Sequence, residues 1–360
     1  MSVSCTLEVV DGGLGNLVQD GGRPGYRAMG VPLSGAADSL LLACANHLVG
    51  NAPDAAAIEM ALAGPQLRAV SGTLRVALAG NAKASLLRVG AAPLEITSWR
   101  TATLFPGDEI RLGAIRGVAY LAVSGGLRTE PCLGSRSTYL RARLGGVAGL
   151  PLAAGDRLPC GPVAGDPLLE WRAESPLEPA PGPLRVILGP QHDHFPVASI
   201  ETFLSSAYRV TRDADRMGIR LDGPALAHDV DRGADIVSDG IVPGAIQVPG
   251  NGLPIVLRAD AQTSGGYVKI ATVIAADLPR LGQLLPGQEL RFAAVDPIAA
   301  RGHWREQQQA LADWRARIVS FRPPGVIDEA ALHQLNLVSG MLRASANEDD
   351  AGLLPWEDCL

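Results

Sequence analysis

The chain has 360 residues, enough for two domains and an appendage, and 47% of them are hydrophobic, which supports a sizeable core. Only 4% are aromatic, so that core must be built from Leu, Val, Ile and Ala, and the net charge of −6 argues against nucleic acid or an anionic membrane as partner. Gly (42) and Pro (27) are abundant without periodicity, which excludes collagen and fits many short elements joined by tight turns.

The stretch Met1 to Glu8 has neither the basic nor the apolar segment of a signal peptide, and nowhere does the chain reach the ~20 uninterrupted apolar residues of a spanning helix. The cysteines (Cys5, Cys44, Cys132, Cys160, Cys359) form no CxxC and read as free thiols, so a cytoplasmic location is expected.

Short apolar runs recur at Leu74 to Leu78, Ala119 to Val123, Leu184 to Leu188 and Pro254 to Leu257, each followed by Gly, Pro, Asn or Asp. These are strand signals with turn punctuation. Helical periodicity is scarce between them, so a parallel sheet wrapped by helices is not expected and a mainly β fold is.

The first candidate cluster is Val18 to Gly25, where Asp20 and Arg23 share a Gly-rich turn. It reads either as a turn braced by an Asp–Arg pair or as part of a site. Ser34 to Asp38 then opens one clear helix, with Leu41, Cys44, Ala45 and Leu48 on one stripe and Gly50 as its stop. Asp38 or Ser34 would cap it, and the same helix N-terminus could hold an anion. Gly134 to Arg141 gathers hydroxyls around Arg136, which reads as a phosphate or carboxylate holder or as a solvated loop.

Seven prolines between 159 and 183 mark a boundary near residue 180. A β-rich domain over 1–180 and a second over 184–297 are expected. His192-Asp193-His194 would put both imidazoles on one face of a strand, but a third ligand is missing and no metal is expected. Asp213 to Arg220 alternates charge and reads as a surface salt-bridge patch. Beyond Pro297 the spacing of Trp304, Leu311, Trp314 and Ile318 predicts an amphipathic helix, and Leu332, Leu335, Val338 and Leu342 predict another after Asp328. Together these make a helical tail over 298–360.

The richest stretch is Ala259 to Lys269, directly after the Pro254 to Leu257 strand. It carries Asp260, Gln262, Thr263, Ser264, Gly265, Gly266, Tyr267 and Lys269. Glycines allow close backbone approach to a ligand, successive N–H groups can form an anion nest, and Lys269 adds a point charge. Asp260 and Lys269 could instead pair to brace the junction. No H-E-x-x-H, G-x-S-x-G or Walker signature occurs.

Seven motifs stand in order: Val18-Gln19-Asp20 with Arg23 and Gly25, Val31-Pro32 with Ser34-Gly35 and Asp38, Leu133 to Tyr139, Gly189-Pro190-Gln191 with Asp193 and Phe195, Asp215 to Leu221, Gly244 to Pro249, and Pro254 to Val273. Over residues 7 to about 295 the chain resembles the biotin-dependent carboxyltransferase family of the allophanate hydrolase subunit 2 type, most of all its 5-oxoprolinase branch. The Ser-Glu-Gly usual in that family is Ser238-Asp239-Gly240 here.

The resemblance implies a cyclophilin-like β-barrel architecture. It implies activity only in a complex with a first-subunit homologue, of the allophanate hydrolase subunit 1 type, and a lactam-utilisation protein. The implied reaction opens 5-oxoproline to glutamate with ATP as co-substrate. One alternative is carboxyl transfer from carboxybiotin to urea or a related amide; another is a non-catalytic antagonist of a kinase inhibitor. Carried over to this sequence, the implied catalytic residues are Asp260, Lys269 and Arg216. The implied substrate-binding residues are Gln262, Tyr267, Gly265, Gly266, Asp38, Ser34, Arg136, Asp20 and Arg23. Gln247 also falls on a matching position.

Overall fold

The computed structural model describes residues 5–323. Residues 1–321 form one compact unit, and a second begins at Arg322. Within the first unit Leu74–Asn81 and Ala114–Val123 pair antiparallel inside a seven-stranded sheet. Both runs are apolar at nearly every position because both faces are covered. Val76, Leu78, Leu121 and Val123 join Leu7, Val9 and Leu67 of a six-stranded sheet in one core. The alternate residues Ala77, Ala79, Tyr120 and Ala122 pack with helix α1 (Ser39–Leu48). Helix α1 begins where Asp38 Oδ1 accepts from Leu41 N at 2.9 Å, and it stops before Gly50, whose φ of 78° suits a residue without Cβ.

The third sheet has eight strands. One edge, Glu289–Leu290, pairs with Tyr208–Ala214; the other, Phe292–Ala294, pairs with Leu184–Leu188. Only Arg291 separates these edge strands, so one stretch of chain joins both sides of a nearly closed barrel. Helix α2 (Val197–Ser205) covers it, with Phe203 stacked on Phe292 at 4.6 Å. A two-stranded ribbon, Asp235–Gly240 with Ser264–Tyr267, stands beside the barrel. The mainly β, barrel-type architecture expected from the turn-punctuated runs is the one that forms.

Apart from Val319–Phe321, the strands of the first two sheets come from 5–172 and those of the last two from 184–294. We retain the division near residue 180 on that basis as a proposal about organisation. After the short helix α3 (Leu278–Leu281), helix α4 (Pro297–Ala316) packs on α1 through Trp314, whose indole donates to Ser175 O at 2.9 Å. Val319–Phe321 then pairs with Glu170–Arg172. The stretch expected as a helical tail from 298 therefore begins with a helix and a strand built into the first unit. The helix expected after Asp328 lies outside the described residues. None of the described helices is long and apolar enough to cross a membrane.

His192 to His194 form a 3-10 turn, not the strand that the H-x-H reading requires. Nδ1 of His192 lies 2.7 Å from Gly189 O, and Nδ1 of His194 lies 3.1 Å from Gly233 O. The turn forms because the chain must bend between Leu184–Leu188 and α2 within a few residues.

Candidate active site

The centre of the molecule is a chain of buried polar groups. Arg216 donates through Nε and Nη2 to both oxygens of Asp260, at 2.8 and 3.1 Å. Its Nη1 donates to Glu59 Oε1 at 2.5 Å and its Nη2 also to Gly35 O at 2.6 Å. Glu59 Oε2 accepts from Ala37 N and from the Tyr120 hydroxyl, at 2.7 and 2.6 Å. That hydroxyl accepts from Asp38 N, and Asp38 Oδ2 accepts from Gln283 Nε2 at 2.8 Å. Burial alone would lower the Arg216 pKa, but the charges of Glu59 and Asp260 outweigh it and hold the pKa above its ordinary value. Burial pushes the Asp38 carboxyl up to about 6 against the donors Leu41 N and Gln283.

Beside this chain lies a cleft of about 490 Å³. Its walls come from Tyr208–Ala214, Gly218–Asp222, Ala245–Gln247 and Ile255–Leu257 of the barrel, with Gln262 and Tyr267 from the segment that follows. Three arginines (Arg141, Arg212, Arg220) and two aspartates (Asp213, Asp215), all exposed, line it. Among the described residues none of those three arginines forms an ion pair. Gln247 lines the same cleft, is 2% exposed, and its Nε2 has no hydrogen-bond partner. Buried amides are normally paired, so an orphan donor on a cleft wall marks a place for a ligand acceptor. Gly265 packs tightly beside it: a Cβ there would lie 3.0 Å from Gln247 Nε2 and 2.7 Å from Ile241 Cδ1.

The expected site residues divide among four places. Gln262 and Tyr267 line the cleft, and Gly265 abuts Gln247. Gly266 sits in the ribbon, where its Cβ would meet Ile236 O at 3.1 Å. Asp260, Arg216 and Asp38 belong to the buried chain. Lys269 is buried too, but its amine pairs with Asp239 at 2.9 Å, and Asp260 pairs with Arg216; the Asp260–Lys269 brace, the alternative to a site, does not form. The Lys269 hydrogen bond holds the Asp239 carboxyl below its usual range.

The fourth place surrounds Asp20. Its Oδ1 accepts from Ser135 Oγ, Ser137 Oγ and Gly22 N, and its Oδ2 from Arg136 N. Arg23 donates to Ser137 O and not to Asp20, so the expected Asp–Arg brace is replaced by two separate attachments to the 135–137 segment. Arg23 is fully buried with Nε and Nη1 unpaired, and burial lowers its pKa. Arg136 spends its Nε on Thr129 O at 2.8 Å. Ser34 is buried at φ 53° with its Oγ unpaired.

Sequence reading missed Glu59, Tyr120, Gln283 and the cleft arginines Arg212 and Arg220. In the stretch read as a surface salt-bridge patch, Asp213, Asp215 and Arg220 are exposed but form no ion pair among the described residues and line the cleft, while Arg216 turns inward to Glu59 and Asp260. A signal did exist for Glu59, since it is the one charge inside Ala57–Ala63. A carboxylate on a buried strand needs a partner.

With this geometry in view, residues 29–294 match the family model "Carboxyltransferase domain, subdomain A and B", and the chain belongs to that family. It is 37% identical over 319 residues to the C subunit of 5-oxoprolinase from Escherichia coli, a match covering 86% of this chain and 98% of that one. It is 34% identical to the protein of the same name from Haemophilus influenzae, covering 84% and 95%. The solved urea amidolyase of K. lactis superposes with a TM-score of 0.77 at 28% identity, covering 88% of this chain and 21% of that one. Other solved relatives, at 35–36% identity and TM-score 0.68, have chains of which this one covers 56–58%. The chain thus spans about a fifth to three fifths of the solved chains it resembles.

Proposed function

We propose that this chain is the C subunit of an ATP-dependent 5-oxoprolinase. The observation that carries the reading is the match along 98% of the E. coli protein. The cleft is chemically suited to it. 5-Oxoproline is a five-membered lactam with a carboxylate, and the cleft offers unpaired guanidiniums for the carboxylate and the Gln247 amide for the ring carbonyl. Amide resonance makes the ring hard to open. ATP phosphorylates the lactam oxygen, releasing ADP and making the ring carbon an electrophile; water adds to that carbon, the C–N bond breaks as the nitrogen takes up a proton, and a second water hydrolyses the resulting glutamyl phosphate to glutamate and phosphate. Donors already aimed at the developing charge lower that barrier. Arg212, Arg220 and Gln247 are such donors, while Gln262 and Tyr267 orient the ring. The two Asp260–Arg216 hydrogen bonds fix the segment that carries Gln262. The partners are a first-subunit homologue and a lactam-utilisation protein, with ATP as a co-substrate of the complex.

A second reading is supported by the family match and by the K. lactis superposition. In it the cleft holds the ureido head of carboxybiotin, whose carbonyl suits Gln247 and whose carboxylate suits the arginines, and the acceptor is urea or a related amide. Co-expressing the chain with its partner proteins separates the two. 5-Oxoproline-dependent phosphate release supports the first reading. Urea-dependent consumption of carboxybiotin without it supports the second.

A further inference from the structure

A second, smaller cavity of about 150 Å³ lies between the 20–39 segment and the barrel. A cavity of that size holds one benzene-sized molecule, and it is below the several hundred Å³ usual for a nucleotide or drug-sized ligand. Much of its wall is apolar, with Leu33, Leu257, Leu278 and Leu281. Four polar residues, Asp20, Ser34, Ser39 and Arg258, interrupt it.

Of these, Ser34 lacks a hydrogen-bond partner and Arg258 an ion-pair partner among the described residues. Ser34 is 3% exposed and its Oγ has no hydrogen-bond partner. It is held at φ 53°, where a residue other than Gly is strained, and its N–H is pinned to Ala259 O at 3.0 Å. That bond ties Ser34 to the residue next to Arg258. The Arg258 guanidinium is half-buried and spends Nη1 on Asp215 O at 3.0 Å. Among the described residues it forms no ion pair. Burial and the nearby Arg216 charge push its pKa down, against the charges of Glu59 and Asp215. Asp20 also lines the cavity, but its carboxylate already accepts from Ser135, Ser137, Gly22 N and Arg136 N.

We propose that this cavity binds a short-chain monocarboxylate. Its carboxylate pairs with Arg258 and accepts from Ser34 Oγ, and its carbon stem lies against Leu33, Leu257, Leu278 and Leu281. The site is separate from the cleft and does not depend on which reaction the cleft performs. It is nevertheless coupled to it, because Leu257 lines both and Arg258 holds the backbone of the cleft residue Asp215.

The test is a calorimetric titration of the full chain with sodium butyrate at constant ionic strength, with inorganic phosphate and chloride as comparisons, and a crystal structure with butyrate. Saturable butyrate binding is expected, with the carboxylate between Arg258 and Ser34. Arg258→Met should weaken it by about tenfold or more, the loss of one charged hydrogen bond. Ser34→Gly removes the hydroxyl while relieving the backbone strain, so it should melt no lower than wild type and still bind more weakly; it keeps the test decisive even if Arg258→Met folds poorly. Absence of saturable binding, an equal response to phosphate and chloride, unchanged affinity in Ser34→Gly, or butyrate located elsewhere would overturn the proposal.

Discussion

Arg216 and Glu59, 157 positions apart in the chain, meet at 2.5 Å, and Asp260 grips the other side of the same guanidinium. One side chain thereby joins the seven-stranded sheet to the barrel's neighbouring loop. Removing the cation strands two buried carboxylates, which costs more than the pair contributes when intact. Arg216→Met should therefore lower stability by about 3–5 kcal/mol, read by urea unfolding. Adding Glu59→Gln should recover part of that loss. A variant that unfolds like wild type yet loses turnover would place Arg216 in the chemistry instead.

Asp38 makes stability depend on pH in an unusual direction. Its folded pKa of about 6 lies above the ordinary 3.8, so the folded state binds the proton more tightly than the unfolded chain. Its contribution is most favourable below pH ~4 and is lost as pH rises through ~6. Asp38→Asn keeps the cap on Leu41 and removes the titration. The stability difference, variant minus wild type, should climb by about 2 kcal/mol between pH 4 and 7. A difference that is flat with pH would show that Asp38 titrates normally.

Gly265→Ala tests the fit of the cleft wall. The new methyl would lie 3.0 Å from Gln247 Nε2 and 2.7 Å from Ile241 Cδ1, so the amide must move. We expect a loss of about 1–3 kcal/mol from overpacking together with a rise in KM for the cleft ligand. An unchanged KM would mean that Gln247 does not touch it.

Lys269→Met keeps the apolar stem and removes the amine. Asp239, which is 53% exposed, is then left facing water and not stranded in the interior. The variant should assemble and melt close to wild type, and the Asp239 carboxyl should titrate nearer its ordinary range once the amine that lowers it is gone. Nuclear magnetic resonance titration of that carboxyl reads the change. Normal turnover would remove Lys269 from the mechanism, and lost turnover in a folded complex would keep it there.

The apolar runs, the Asp38 cap and the Gly50 stop were legible in the sequence because each rests on neighbours within a few residues. The polar segment after Pro254 to Leu257 was legible as a cluster, and two of its residues, Gln262 and Tyr267, line the cleft. What stayed hidden was pairing. Asp260 and Lys269 look like partners at a spacing of nine, yet each finds a closer one, in Arg216 and Asp239, through the turn before Gly218–Asp222 and the neighbouring ribbon. Arg23 and Asp20 separate for the same reason: the 135–137 segment presents backbone and hydroxyl partners that local reading cannot see. Arg212 carries no motif and Arg220 stood in its motif without a partner in view; the barrel brings both to one cleft.

The most direct measurement concerns Gln247. Gln247→Leu deletes a buried donor that has no partner among the described residues, so the fold should lose little. In the reconstituted complex, 5-oxoproline-dependent phosphate release should fall by about tenfold or more, the loss of one oriented hydrogen bond to the substrate, with the melting temperature unchanged. Wild-type turnover in that variant would contradict the account, because the cleft's one buried orphan donor would then hold nothing.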